Sequence, residues 1–311
     1  MSPYFTIMIP VFNQMGKMEK CIETLKKQTF KDYEVLMIDD GSNDGSLQVL
    51  HEIADSDARF MVIEHKENRS VLNARITAMK HARGSRMLFI DVDDYIELDS
   101  LELIYQSLME NPVDVLTFGF VIEPEGRVIM PVENVDPIKS YLMGIIGPSV
   151  WKSCYSREVI TKALEHVESF YSNMGEDAYI TGIIYTYAES FGILPKILYH
   201  YQFGGMSSQF ANLNIDKLKK TVSYLETSNE ALIRFFEKNN KDYVEDAIYA
   251  WHGSMRTLLF QYIPYEKDFK KVVEYLLFFD NDKYQDVFEF GCNEFLQMIL
   301  KLRYQHRGLL K

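Results

Sequence analysis

The sequence predicts an α/β protein: a doubly wound, mostly parallel sheet followed by a C-terminal helical appendage. Three observations lead there. Apolar runs alternate with amphipathic segments through the first third of the chain. Those runs are continuous rather than alternating, which is the pattern of strands buried on both faces by crossover helices. From about Asn214 onward the strand-like runs cease, and apolar residues recur at helical spacing.

In chain order, Phe5–Val11 reads as a buried strand, and Met18, Cys21, Ile22 and Leu25 as the inner face of a helix. Glu34–Ile38 is the second strand and Asp40-Gly41-Ser42-Asn43-Asp44-Gly45 the turn after it. Leu47, Val49, Leu50 and Ile53 mark the second helix, Phe60–Ile63 the third strand, and Val71 to His81 the third helix. Gly84 is placed as the C-cap of that helix. Met87–Ile90 is the fourth strand. Val113–Phe118, Phe120–Ile122 and Val128–Met130, around a Pro124-Glu125-Gly126 turn, predict a hairpin added at the sheet edge. Trp151–Arg157 is a short mixed segment, Glu176–Tyr187 a helix and Ile193–Tyr201 a further strand. Phe203–Gln209, with paired glycines, is either a lid or a plain surface loop. Leu218, Val222, Leu225, Leu232 and Phe235 define one long helix, and Ile248, Trp251, Met255, Leu258 and Tyr262 another. Shorter helices are expected around Phe269–Phe279 and Glu294–Leu302. The expected division is residues 1–210 as the α/β domain and 211–311 as the helical region.

At 311 residues the chain has enough length for a large core. An apolar share of 47% and a charged share of 25% are those of a globular protein. A net charge of −12 argues against nucleic acid as a partner, which calls for a basic footprint. Cys21, Cys154 and Cys292 form no CxxC pair, so neither a zinc ribbon nor a disulfide framework is indicated and a reducing compartment fits. No segment approaches the roughly 20 apolar residues of a membrane span. A soluble, cytoplasmic protein is expected. The terminal cations Lys301, Arg303, His306, Arg307 and Lys311 read as a solvated helix end or as a peripheral contact with anionic membrane. The apolar faces of the appendage leave a homo-oligomer open.

The chemistry concentrates in Asp91-Val92-Asp93-Asp94, which follows the run Met87-Leu88-Phe89-Ile90. Carboxylates this close repel unless a cation or hydrogen-bond donors compensate. Hard divalent ions take oxygen ligands, often one or two carboxylates completed by substrate phosphates. Two readings stand: a metal site for a phosphorylated substrate, or a solvated acidic turn before a helix capped by Asp99 or Ser100. Pro10-Val11-Phe12-Asn13 and Asp39-Asp40-Gly41-Ser42 lie at the ends of the first and second strands. Ligands of open α/β sheets bind at such carboxyl ends, and the coincidence favours the first reading.

Taken together, these pieces resemble a family 2 glycosyltransferase with the GT-A fold, in the manner of bacterial surface-glycan enzymes. The matching segments are Ile7-Met8-Ile9-Pro10-Val11-Phe12-Asn13, Gln28-Thr29-Phe30 and Tyr33-Glu34-Val35 leading to Ile38-Asp39-Asp40-Gly41-Ser42. They continue with His65-Lys66-Glu67-Asn68, Ala74-Arg75, Phe89-Ile90-Asp91-Val92-Asp93-Asp94, Val150-Trp151 with Tyr155 and Arg157, and Gly175-Glu176-Asp177. Order and spacing agree over about two thirds of the chain.

The resemblance implies inverting transfer of a sugar from a UDP-sugar to a glycan or glycolipid acceptor, assisted by Mn²⁺ or Mg²⁺. It implies that Pro10, Val11 and Asn13 line the nucleotide base and that Asp40 accepts a hydrogen bond from uracil N3–H, while Asp39 supports the turn. Arg75 would lie near the donor phosphates. Asp91 would bind the ribose hydroxyls, Asp93 the metal, and Asp94 would order the site or touch the donor sugar. Asp177 would be the general base; without the rest of the pattern, Glu176 and Asp177 would read as acids matched to a helix dipole. Trp151 and Glu176 are candidate acceptor contacts, with a core indole as the equal alternative for Trp151.

Departures from the family pattern are Arg69-Ser70 after Asn68, Ile76 after Arg75, Ser153 in place of a lysine, and Gln202 in place of a basic phosphate clamp. They motivate an alternative, a catalytically inactive nucleotide- or sugar-binding partner subunit. His200 or Arg69 would have to replace the clamp. Retention of Asp40, Asp91, Asp93 and Asp177 favours the enzyme. Phosphoryl transfer of the haloacid-dehalogenase kind fits poorly, because its Asp-x-Asp follows the first strand rather than the fourth.

Overall fold

The structure, a computed structural model, describes residues 2–133, 136–143, 147, 149–202 and 215–262, the last eight by their backbone alone. Strands β1 (Phe5–Val11), β2 (Tyr33–Asp39), β3 (Phe60–Glu64) and β4 (Arg86–Phe89) form a parallel set in the order β3-β2-β1-β4. Every residue of β2 is buried, and Pro10 is the one residue of β1 that is not. Helices α1 (Glu19–Lys26), α2 (Ser46–Ser56) and α3 (Val71–His81) make the crossovers. Their inner faces, Cys21, Ile22 and Leu25 on α1 and Leu72, Ala74, Ile76 and Met79 on α3, close over the sheet.

The strand order reverses between β1 and β4. The chain moves outward from β1 through β2 to β3, then returns across β1 to place β4 on its other side. That reversal opens the crevice in which such sheets bind ligands. Register aligns the strand ends there: Val11 pairs with Asp39, and Ile90 N–H donates to Met8 O at 3.0 Å.

Beyond β4 the sheet becomes mixed. β5 (Tyr95–Ile96) precedes α4 (Ser100–Glu110), and β6 (Val115–Glu123) with β7 (Arg127–Ile129) makes the predicted hairpin. The hairpin is not an edge addition. β6 lies inside the sheet, parallel to β9 (Phe191–Gln202) and antiparallel to β8 (Ser153–Ser156), which in turn pairs antiparallel with β4. Its alternation marked a strand but carried no information on neighbours supplied by later sequence.

Two smaller expectations also change. Ala82, extended, ends α3. Gly84 instead lets two backbones touch: a Cβ there would fall on the Thr6 amide and the Phe5 carbonyl carbon. Asp99 stands at the N-cap of α4 without a side-chain capping bond.

Helices α5 (Pro137–Leu142), α6 (Arg157–Leu164) and α7 (Glu176–Tyr187) complete the α/β body. Then α8 (Ile215–Asn239) lies against α7, burying Leu218, Val222, Leu225, Leu232, Phe235 and Phe236, and α9 (Val244–Tyr262) packs on α8. Gly175, at φ +78°, turns the chain into α7 beneath this cover; a Cβ there would meet Leu225 and Ser228 at 3.1 and 3.2 Å. Ser228 Oγ donates to Met174 O at 3.0 Å and binds Ser172 Oγ at 2.9 Å. The appendage therefore braces the turn that leads to Asp177. The predicted loop Phe203–Gln209, the helices around Phe269–Phe279 and Glu294–Leu302, Cys292 and the terminal cations lie outside the described residues. Among the described residues, no helix is long and apolar enough to cross a membrane.

Candidate active site

Three strand ends build the rim. At the end of β1, Val11 is buried, Pro10 and Asn13 are half-buried, and Phe12 is exposed. Asn13 takes a positive φ of 52°. Its N–H donates to Ser42 Oγ at 3.0 Å, and its Oδ1 accepts from Asn43 N–H at 2.9 Å. These bonds stitch the first rim segment to the second.

At the end of β2, Asp39 supports the turn as expected: its Oδ2 accepts from Gly41 N–H at 3.1 Å and Ser42 N–H at 3.0 Å. Asp40 faces other partners. Its Oδ1 accepts from Arg69 N–H at 2.9 Å and binds His65 Nδ1 at 2.6 Å. Its Oδ2 is buried without a hydrogen-bond partner among the described residues. Burial pushes the Asp40 carboxyl up, against the pull of the His65 and Arg69 bonds. Gly41, at φ +74°, closes this corner; a Cβ there would stand 2.6 Å from Glu67 C and 2.7 Å from Asn68 N. Gly41→Ala is expected to cost about 1–3 kcal/mol, because neither the φ nor the opposing backbone yields. Denaturant unfolding of the variant checks this.

At the end of β4, the carboxylates converge on Arg75 of α3. The guanidinium is buried, with side-chain exposure of 1%. Its Nη2 donates to Asp91 Oδ1 at 2.9 Å, and its Nη1 lies 3.5 Å from Glu176 Oε1 and pairs with Asp177 Oδ1. One cation thus draws together the acidic motif after β4 and the first turn of α7, 102 positions from Arg75. Asp91 and Asp177 keep 19% and 23% of their side-chain surface exposed, against 8% for Glu176. The two more open carboxylates keep surface that a ligand could reach; Glu176 is enclosed, its carboxyl pushed up by burial. Asp40 and Asp91 end strands on either side of β1, two strand spacings apart, or roughly 10 Å.

Asp94 is fully engaged inside the protein. Tyr199 O–H donates to its Oδ2 at 2.6 Å and Gln202 N–H to its Oδ1 at 2.7 Å. Burial, and after it the charge of Asp91, pushes its carboxyl up to about 9. Of the two roles expected for Asp94, ordering the site fits this environment and touching the donor sugar does not. Asp93 is half-buried on the same turn.

Three further expectations need correction. Trp151 is 5% exposed, stacked on Tyr199 at 4.4 Å and Tyr201 at 5.5 Å, with Phe120 edge-on at 4.9 Å. That is core packing, and it leaves too little of the indole to stack on an acceptor sugar. Glu176, buried behind Arg75, is likewise closed to an acceptor. Arg75 faces carboxylates rather than open rim, so direct contact with donor phosphates does not fit its surroundings.

The clamp replacements also separate. His200 is held by Glu97 at 2.8 Å and Glu123 at 3.2 Å and stacks on Tyr95 at 4.2 Å, a structural setting. Arg69, joined to Asp40 through its backbone, leaves its side chain exposed beside the rim. The role of Tyr199 had no signal in the sequence; that of His65 had one only in its matching segment.

The rim's donor set is carboxylate oxygen, which suits a hard divalent ion. Among the described residues, no group of three or more His, Cys, Asp or Glu encloses a metal position. A divalent ion at such a rim would take one or two carboxylates and complete its shell with ligand oxygens.

A family model described as glycosyl transferase family 2 matches residues 6–145. Glycosyltransferase GlyA of Streptococcus pneumoniae is 27% identical over 214 residues, covering 63% of this chain and 30% of that protein. Poly(ribitol-phosphate) beta-glucosyltransferase of Bacillus spizizenii is 29% identical over 206 residues, covering 63% of this chain and 32% of that one. The chain thus spans about a third of the length of these two curated relatives. The crystal structure of S. aureus TarS 1-349 in complex with UDP-GlcNAc superimposes with a TM-score of 0.57 at 20% identity, covering 82% of this chain and 80% of that one. The matched segment contains all three strand ends of the rim: residues 6–145 are similar to the family 2 glycosyltransferases, and the fold is of the GT-A kind.

Proposed function

We propose that this chain transfers a sugar, with inversion, from a UDP-sugar to a hydroxyl of a surface glycan or glycolipid. The observation that carries the proposal is the meeting of Asp91 and Asp177 on Arg75, at the rim where Asp40 keeps one carboxylate oxygen unpaired. Asp40 would take the uracil N3–H, with Pro10 and Asn13 along the base. Asp91 would bind the ribose hydroxyls through the surface that Arg75 leaves open. A divalent ion at Asp93 would supply electrostatic stabilisation of the departing diphosphate. The exposed Arg69 would stand in for the clamp missing at Gln202. Asp177 would take the acceptor's proton as the new bond forms, and a single base with in-line attack gives inversion. The UDP-GlcNAc of the TarS complex and the polymer glucosylated by the Bacillus relative support these substrate classes.

The test is UDP binding and UDP release from a panel of UDP-sugars, with and without Mn²⁺. Asp93→Ala is expected to abolish the Mn²⁺-dependent part of UDP binding by calorimetry; an unchanged Mn²⁺ dependence removes Asp93 as ligand. UDP binding without turnover over a broad acceptor panel would favour the inactive partner subunit instead. No UDP binding at all would end the proposal.

A further inference from the structure

We propose that His65 is a positioning residue that sets base selectivity: it holds Asp40 so that one carboxylate oxygen stays free for an N–H on the pairing edge of the donor's base. This rests on the donor-site reading given above. The His65 ring is buried between two partners, with Nδ1 2.6 Å from Asp40 Oδ1 and Nε2 2.9 Å from Thr77 Oγ1. Its place is set by the sheet, because His65 N–H donates to Asp39 O at 2.8 Å. Gly41 packs against the Glu67–Asn68 backbone and pins the rest of the loop.

An ionised Asp40 accepts only, so the proton of the His65–Asp40 bond sits on Nδ1. Nε2, on the other side of the ring, pairs with the Thr77 hydroxyl. Oδ1 thereby receives two donors, His65 Nδ1–H and Arg69 N–H, while the buried Oδ2 makes no well-formed hydrogen bond among the described residues, the Ser70 backbone N–H being the one further group that favours the charged carboxyl. A buried carboxylate oxygen is costly unless a donor meets it. Uracil, thymine and guanine carry a ring N–H at the pairing edge; cytosine and adenine present a bare nitrogen there. The arrangement therefore selects the first group and rejects the second. Its selectivity depends on His65, since without the Nδ1–H only the Arg69 N–H holds Oδ1 and the carboxylate is less firmly fixed.

The experiment titrates UDP, ADP and inorganic pyrophosphate, each with Mn²⁺, into the full chain and its His65→Leu, His65→Asn and Thr77→Val variants. The wild-type chain should prefer UDP to ADP. In His65→Leu that preference should fall by ~10-fold or more, with pyrophosphate affinity held within about 3-fold. His65→Asn places an N–H where Nδ1–H stood and should restore most of the preference. Loss of UDP affinity on acidification should begin at higher pH in His65→Leu, because Asp40 has lost a bond that favours its charged form. An unmoved preference in His65→Leu, an equal loss for pyrophosphate, or an Asn variant as poor as Leu overturns the proposal. If His65→Leu fails to fold, Thr77→Val decides, since it removes the ring's anchor and an unchanged preference overturns the role. A wild-type chain that ignores UDP sinks the donor-site reading itself; one that binds UDP with unmoved variants sinks only His65.

Discussion

Asp177→Asn is expected to lower the rate of sugar transfer by roughly 10²–10⁴-fold while leaving UDP affinity within about 3-fold. The substitution keeps an oxygen for Arg75, so the pairing that draws α7 to the rim is weakened rather than lost. It removes the group proposed to accept the hydroxyl proton. An acceptor hydroxyl is a weak nucleophile at neutral pH, and it has no described carboxylate of comparable exposure on α7 to turn to. Glu176→Gln is the matched control. Glu176 is buried at 8% side-chain exposure, 3.5 Å from the same cation, and its substitution should change stability more than turnover. UDP-release kinetics under single-turnover conditions, with UDP binding measured in parallel, separate the two. Near-normal turnover in Asp177→Asn would place the base elsewhere. A greater loss in Glu176→Gln would reverse the two roles.

The same pair shows what was legible in the sequence and what was not. The parallel strands were readable because burial on both faces leaves a continuous apolar run; Phe5–Val11 and the helix Val71–His81 match to the residue. Strand ends follow from strands, so Asp40 and Asp91 were legible as rim residues before any geometry. Pairing beyond β4 was not, because β6 finds β8 and β9 across tens of residues, and its alternation is the same for an edge or an interior strand. Helix α6 went unread although Ser156 caps it, accepting from Val159 N–H at 3.2 Å. At the site, acidity was visible and partnership was not. Nothing local says that Arg75 neutralises Asp177, or that Thr77 anchors the ring that holds Asp40. Nor does a tryptophan announce whether its faces are free, and Trp151 proves to be packed on Tyr199 and Tyr201.

Arg75→Met should be the most destabilising single change at the rim, by about 3–5 kcal/mol, because it strands carboxylates around an empty cation position. Arg75 is itself almost fully enclosed, so its replacement is not relieved by solvent. Glu176 suffers most, since burial already pushes its carboxyl up and the Arg75 charge is the largest opposing influence. The sign of the pH dependence follows. A carboxyl whose folded pKa exceeds its unfolded value binds more protons when folded, so its contribution to stability is lost as pH rises through that interval. Removing Arg75 widens the interval, and the deficit of Arg75→Met should be smaller at pH ~5 than at pH ~8. Urea unfolding at the two values measures it. Arg75→Lys should recover only part of the loss, since a point charge does not span Asp91, Glu176 and Asp177 as a planar fork does. In an Arg75→Met, Glu176→Gln double variant the cost should fall below the sum of the single changes. Strict additivity would show that Arg75 serves Asp91 and Asp177 alone. A stable Arg75→Met with normal UDP binding would mean that the two acidic segments are held together by something other than this cation.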